Sequence, residues 1–540
     1  MTNLLLRHWV MLLLSCVWCG STPVRAEDPP QEGLVLWLDA ADAESMTQDR
    51  ASRISQWRDK SPKGHHAEAD GIGPMLLNEQ PPMVRFAPDG KPTLLRTPKL
   101  RGAIGPVTVF VVARRTAEQA SEKKWQRLIS GAESGKNDNE GNGLAMSMPP
   151  RGSAEAFEFA IYSTSKMNVA GLPVVIGGFA SESKAEGMQA DVAELLVYDH
   201  AFQNPADFEV VQDYLVHKWS VDAARDVGGW THEGPIPARP SHNNPALPLI
   251  DQANVGKWQV YDAMTDEFAG DALDAAKWWD HNPLWHGRIP GRFLPENVRV
   301  RDGELQLMVK KDPTLPSVTF YEGQTRRYEH YSASSVVSKT AVTYGCFEVR
   351  VKVANTTCTS SWWFIGSAQK ESESGGEPIV RGNELDVFEL PAGCPGHEKR
   401  FGMNMHVSKE PETDRHWANW ANWEAPFVWH EGYHTINFVW SPEWIRYFVD
   451  GHCIRATRNV AWHVPERMIF DMEFMGWLPF PKDHEFPATY RIDYVRAWSR
   501  PDWKGSGEWV SKPDPSNATK ITEIVRELHA ERREQGLIEQ

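Results

Sequence analysis

The sequence has little cysteine, a deficit of basic charge and no long apolar run beyond its first twenty residues. The 57 basic residues are outnumbered by 72 acidic ones, a formal charge of −15. The basic footprint that nucleic acids and anionic membranes require is therefore missing, and neither is expected as a partner. Its longest apolar run, Trp9 to Cys19, covers eleven residues, against the ~20 needed to cross a bilayer, so no membrane span is expected. Arg7 and His8 before that run, and Val24-Arg25-Ala26 after it, fit a secretory leader over residues 1–26. The mature protein is accordingly expected to be secreted. Removing the leader discards Cys16 and Cys19 and leaves Cys346, Cys358, Cys394 and Cys453. These four allow three disulfide pairings, which the sequence leaves open. None of them stands in the short Cys-x-x-Cys spacing of a zinc site. With 41% apolar and 24% charged residues, the chain is neither disordered nor collagen-like.

What is abundant is tryptophan: 24 residues, fifteen of them between Trp258 and Trp498. Residues 31–222 read as one β-rich unit, with short apolar strands at Leu34–Leu38, Val107–Val112 and Ala193–Tyr198. A helix is expected to close it, capped by Asn204 with Pro205 in the first turn. Its buried stripe would be Phe208, Val211, Leu215 and Trp219. Residues 223–250 hold five prolines and no apolar period, which reads as a stiff linker. Residues 251–500 are β-rich again. In Phe347-Glu348-Val349-Arg350-Val351-Lys352-Val353 apolar and charged residues alternate, predicting one buried and one wet face. Thr435–Trp440 and Trp444–Val449 form a hairpin closed by Asp450-Gly451. The 501–540 tail carries one amphipathic segment, expected as a peripheral helix.

The chemistry is concentrated in Asn383-Glu384-Leu385-Asp386-Val387-Phe388-Glu389. On a regular strand Glu384 and Asp386 share a face and Glu389 points the other way. A bulge at Val387-Phe388 would return Glu389 to their side. Three acids on one face repel one another, so a structural strand has no reason to gather them without a proton-transfer role or a cation. This pattern resembles the bulged active-site strand of glycoside hydrolase family 16. Tyr344 to Arg350, Ser361-Trp362-Trp363-Phe364, Tyr433 to Gly451 and Ile492 to Arg496 match other strands of that family in the right order. The stretches Asn282 to Val298 and Met403-Asn404-Met405-His406 are similar to its agarase and porphyranase branch. The Trp-Pro-x-x-Gly of the β-1,3-glucanases is absent before Glu384, where residues 378–383 are Pro-Ile-Val-Arg-Gly-Asn. An insert with Glu371, Glu373 and Glu377 precedes them.

The resemblance implies an all-β protein: two concanavalin-like β-jelly-roll sandwiches joined by a Pro-rich linker. The first, 31–222, is similar to laminin-G-like domains; the second, 251–500, would be catalytic. It implies a secreted, monomeric, retaining endo-glycosidase that cleaves β-linkages in a polysaccharide, here a galactan of the agar or porphyran type. Glu384 would be nucleophile, Glu389 general acid/base and Asp386 the group between them. Alternatives are a κ-carrageenan or β-1,3-glucan hydrolase, a transglycosylase, or a carbohydrate-binding protein without activity. Flat aromatic faces stack on sugar rings, which makes Trp285, Trp363 and Trp477 candidate substrate contacts, with Arg288, His406 and Glu473 as polar partners. Arg292, Arg326 and Arg327 are further basic spots for a sulfated substrate. No cofactor is expected for catalysis. The family's structural calcium would fall on Glu267 and Asp493, with Asp266 as the other matching carboxylate.

Overall fold

The computed structural model describes residues 28–538 except 88, 90–92, 104, 117–125, 132–144, 149–158, 170, 179–187, 222–225, 228, 322–323, 371–378, 410–416, 505–509 and 512–516. The proposed leader and the Glu371, Glu373 and Glu377 insert lie outside the described residues. The fold is β-sheet throughout, with two long helices, α1 (Pro205–Trp219) and α2 (Asn517–Glu534). Among the described residues no helix is long and apolar enough to cross a membrane.

The amino-terminal half forms two seven-stranded sheets among the described residues. Leu34–Asp39, Val107–Arg115 and Ala190–Tyr198 pair antiparallel at the centre of one of them. Both faces of Ala190–Tyr198 are buried, and α1 packs on one of them, where its Tyr214 Oη donates to Glu194 at 2.8 Å. Asn204 caps α1 by accepting from the Ala206 amide at 3.0 Å. Phe208, Val211, Leu215 and Trp219 are all buried, as the helical spacing requires.

The carboxy-terminal half is a sandwich. One sheet runs Arg400–Lys409, Ile379–Leu390, Thr359–Lys370, Glu466–Glu473, Tyr331–Val342. The facing sheet contains Trp444–Val449, His434–Trp440, Gly345–Lys352, Ala488–Ser499 and Glu304–Lys311. Aromatic rings fill the space between them: Trp362 stacks on Phe470 with centroids 6.0 Å apart, and Phe364 on Phe438 at 5.7 Å. Asp450 (φ 47°) and Gly451 (φ 84°) both take the left-handed conformation, the two-residue turn that matches strand twist. All four described cysteines are free thiols.

Three expectations change. The alternating strand Gly345–Lys352 does not keep a wholly wet outer face. Glu348 is fully buried there and accepts from the Leu249 amide (2.6 Å), Asn437 Nδ2 (2.7 Å) and Tyr494 Oη (2.9 Å). The group covering it is the proline-rich stretch, which is thus fastened down rather than a free spacer. Upstream of the prolines, Trp230–Thr231 adds a short strand to His452–Arg458. Trp230 buries its ring and donates Nε1–H to the Phe202 carbonyl at 2.6 Å. The tail helix α2 is not peripheral either. Arg532 is buried and bonds Glu296 (2.7 Å), Asp312 (2.7 Å) and Thr314 (2.6 Å).

Through Trp230 the core of the first half runs into the second: Trp444 and Ala456 belong to the same apolar cluster as Leu36, Phe110 and Trp219. Around Trp444, Arg446 makes a two-pronged pair with Glu209 of α1, both contacts 2.7 Å, and Arg458 pairs with Asp213. Forked pairs of this kind are oriented as well as attractive. Glu209→Ala leaves a partly desolvated guanidinium without its acceptor, and should cost about 1–3 kcal/mol. Denaturant titration should return that loss, and the Glu209→Ala/Arg446→Ala double variant should cost less than the two singles summed.

Candidate active site

The strand Ile379–Leu390 departs from regular pairing at one place. Against Thr359–Lys370, Phe388 faces Trp362 and Asp386 faces Trp363, so Val387 has no opposite number. On the other side, Asp386 faces Asn404 while Glu389 faces Gly402, three positions against two. The extra residue lies where the sequence predicts the bulge. Its consequence is visible in the core, where neighbouring Val387 and Phe388 both have no exposed surface. Two consecutive inward residues flip the alternation, and Glu389 returns to the face of Glu384 and Asp386.

All three carboxylates line one open cavity of about 410 Å³, together with Leu284, Trp285, Arg288, Arg326, Ser361, Trp363, Ile365 and Glu473. Trp363 faces the cavity while Trp362 is core, as strand alternation requires. Trp285 and Arg288 come from the loop after Asn282, with the guanidinium 5.5 Å from the indole centroid. Arg288 Nε also lies 3.4 Å from Glu473 Oε2, which ties that loop to the cleft floor. Helix α2 holds the same loop from behind. Its Thr522 hydroxyl is 3.1 Å from His281 Nε2, and its Arg526 grips Asp280 at 2.9 and 3.1 Å.

His406 stands on the next strand, its Nε2 3.2 Å from Asp386 Oδ2 and 2.9 Å from the Asn404 amide nitrogen. Glu384, Asp386 and His406 each offer a ligand atom within 4.8 Å of the others. Trp477 is not a wall of this cavity: its ring is 58% exposed and sits 6.3 Å from the His397 ring. Arg292 is buried below the loop and donates to Ser317 Oγ at 2.7 Å, so it is not a surface anion site. Of the cavity residues, sequence reading alone gave Leu284, Ser361 and Ile365 no role. Ser361 and Ile365 could have been found from the alternation through Trp363.

Gathering acids in a half-closed cleft raises their proton affinity. Burial, then the Asp386 charge, pushes Glu384 up to about 8. Burial, then Glu384 and Asp471, pushes Glu389 up to about 7. Asp386, at 4% exposure, is driven well above the ordinary carboxylate range by burial and by Glu389. A hydrogen bond links Asp386 to Glu384, so that pair shares a proton at neutral pH, and Glu389 exchanges its own close to neutrality. The arrangement can therefore donate a proton from one carboxyl and present an ionised oxygen from another.

The carboxylates matched to calcium do not fit a cation. Glu267 is held in a two-pronged pair by Arg496, at 2.7 and 2.9 Å. Asp493 is 2.6 Å from Arg350. Asp266 accepts from the Phe268 amide at 3.0 Å and from Trp278 Nε1 at 2.9 Å. Guanidinium and N–H donors occupy the oxygens that a metal would need.

Residues 258–500 match the family described as β-porphyranase A–D, GH16 domain. The chain is 30% identical to β-porphyranase E of Zobellia galactanivorans over 265 residues, 45% of this chain and 88% of that protein. It is 26% identical to β-porphyranase B of the same organism over 264 residues, 46% of this chain and 87% of that one. The crystal structure of that porphyranase B superposes with a TM-score of 0.40 at 24% identity, covering 49% of this chain and 98% of the other. The match to β-porphyranase E, with the family model in agreement, shows that the chain belongs to glycoside hydrolase family 16, through a domain of the β-porphyranase type.

Proposed function

We propose that the protein is a secreted, retaining endo-β-glycosidase that hydrolyses a sulfated galactan of the porphyran type. The observation that carries this reading is the bulge, which turns Glu389 into the same cavity as Glu384 and Asp386. Retention needs a nucleophilic carboxylate and a protonated carboxyl about 5–5.5 Å apart across the scissile bond. In the first step a Glu384 oxygen bonds to the anomeric carbon as the glycosidic C–O bond breaks. Glu389 gives its proton to the departing oxygen. In the second step Glu389 takes a proton from water, whose oxygen bonds to the anomeric carbon and releases Glu384. Asp386 shares its proton with Glu384 when the nucleophile leaves, which keeps that oxygen a competent leaving group. Trp363 and Trp285 supply faces for sugar rings, and Arg288 and Arg326 supply the positive charge that a sulfate ester calls for. The relatives' names add the porphyran preference, and the leader pattern of residues 1–26 supports export to where such polymers are found.

Release of reducing ends from porphyran, agar, κ-carrageenan and β-1,3-glucan tests the reading. Porphyran should be cleaved fastest, and inertness toward all four would refute it. Glu389→Gln should lower kcat by about 10²–10⁴-fold, and Glu384→Gln should lower it further. Near-native rates in either folded variant would overturn the roles.

The pH profile of kcat/KM should have both limbs in the neutral to mildly alkaline range, since Glu389 titrates near 7 and Glu384 near 8. Because Glu384 holds its proton more tightly than Glu389, the competent form with Glu384 ionised and Glu389 protonated is a minority at every pH. The bell then has its acid limb near 7, set by Glu389, and its alkaline limb near 8, set by Glu384. Asp386→Asn removes a charge that raises Glu384, so the nucleophile should ionise at lower pH in that variant. A limb that stays in place or moves up would contradict the assignment.

A further inference from the structure

One buried carboxylate in the cleft floor has no part in the mechanism above. Asp471 belongs to Glu466–Glu473 and is fully buried. Its Oδ2 accepts from Trp363 Nε1 at 2.9 Å, and the Ser361 hydroxyl beside it also favours its ionised form. The register explains why it is there. Glu389 faces Ser361 across one strand boundary, and Ser361 faces Asp471 across the next. Three adjacent strands thus set Glu389, Ser361 and Asp471 in one row on the cleft side. Two strand spacings separate the outer backbones by ~10 Å, and only a serine side chain stands between the two acids. Trp363, two residues on from Ser361, lies diagonally across from Asp471 and reaches it with its indole N–H.

Resting on the reading of the cleft as a retaining glycosidase site, we infer that Asp471 is a positioning residue: it fixes the Trp363 indole in the substrate floor and, by its charge, keeps the proton on Glu389. The alternative is an ordinary buried acid satisfied by an indole and a serine hydroxyl. Such an acid would not need to be ionised, whereas the second role requires it. Burial raises Asp471 to about 6, opposed by hydrogen bonds from Trp363 Nε1 and Ser361 and by the Arg288 charge, all three of which favour the ionised form that the second role needs. The other groups facing this row do not replace it. Glu384, hydrogen-bonded to Asp386 on the same strand as Glu389, acts in the same sense and more strongly, and Asp471 adds to it from across the cleft floor. Glu473 lies beyond Asp471 and is paired with Arg288. His406 and Arg288 act in the opposite sense and favour ionised Glu389. Arg326 comes from the hairpin above the cavity, and Tyr490 is buried, its phenol raised further by Asp471 itself.

The two roles separate in three variants. Asp471→Asn keeps an oxygen for the indole and removes the charge. Asp471→Leu removes both, and Trp363→Phe removes only the donor while leaving an aromatic face. On the polysaccharide that the wild type cleaves, the Asn variant should keep KM near native. Its acid limb of kcat/KM, set by Glu389, should fall by about one pH unit, the size of a unit charge at ~10 Å with an effective dielectric near 20. Its alkaline limb, set by Glu384, should stay in place. The Phe variant should raise KM and leave both limbs where they are, and a folded Leu variant should do both. An unmoved acid limb in Asp471→Asn, or a native KM in Trp363→Phe, would overturn the inference. Absence of hydrolysis by the wild type would instead remove the functional reading on which it stands.

Discussion

The cleft depends on a repulsion that the fold does not allow to relax. Glu384, Asp386 and Glu389 are carried on one strand whose intervening residues Leu385, Val387, Phe388 and Leu390 are anchored in the core. Turning any one acid away would drag an apolar neighbour into water, at roughly 1.5–3 kcal/mol for a side chain of that size. The bulge makes the conflict permanent, because it adds a second consecutive inward residue and so fixes the third acid on the crowded side. With water partly excluded, the response open to the acids is to hold protons. Of the charged groups lining the cavity, four are carboxylates and two are guanidiniums, and one of those, Arg288, is matched by Glu473. Proton donation near neutral pH is a consequence of that imbalance.

The parts of this arrangement that live within one strand or one helix were legible in the sequence. Period-two alternation, broken once by Val387-Phe388, predicts both the face of the acids and the bulge. The Asn204 cap and the Phe208–Trp219 stripe predict α1. The parts that depend on which strand lies beside which were not. Asp471 stands in a run with Glu473, but nothing local says that Ser361, rather than a bulky residue, separates it from Glu389. Glu348 looks like a solvent-facing member of an alternating strand until the Leu249 amide is found on top of it. The convex-face carboxylates fail as calcium ligands for the same reason. Arg350 reaches Asp493 only because Gly345–Lys352 and Ala488–Ser499 are neighbours, and Arg496 reaches Glu267 because Asp266 bridges to Val495.

The substrate loop shows how remote residues enter the site. Trp285 and Arg288 are held in front by Glu473 and behind by α2, whose Ile521 and Val525 are buried. Arg532, at the far end of that helix, bonds Glu296 and Asp312 on either side of the segment that follows the loop. A loop with a single tether would sample many positions of its indole. One held from two directions presents the ring in a fixed place, and preorganised contacts lose less entropy when substrate binds.

The same logic applies to the amino-terminal half. A domain joined by a polyproline spacer would move independently and search for polymer at a distance. Here the segment that should serve as spacer is spent on contacts: Trp230 is buried between the halves, Thr231 pairs with Arg455, and Leu249 satisfies Glu348. The face so covered includes Trp444 and Ala456, apolar residues that the second half would otherwise expose beside Arg446 and Arg458. Any sugar that it did hold would be presented to the cleft at one fixed angle and distance.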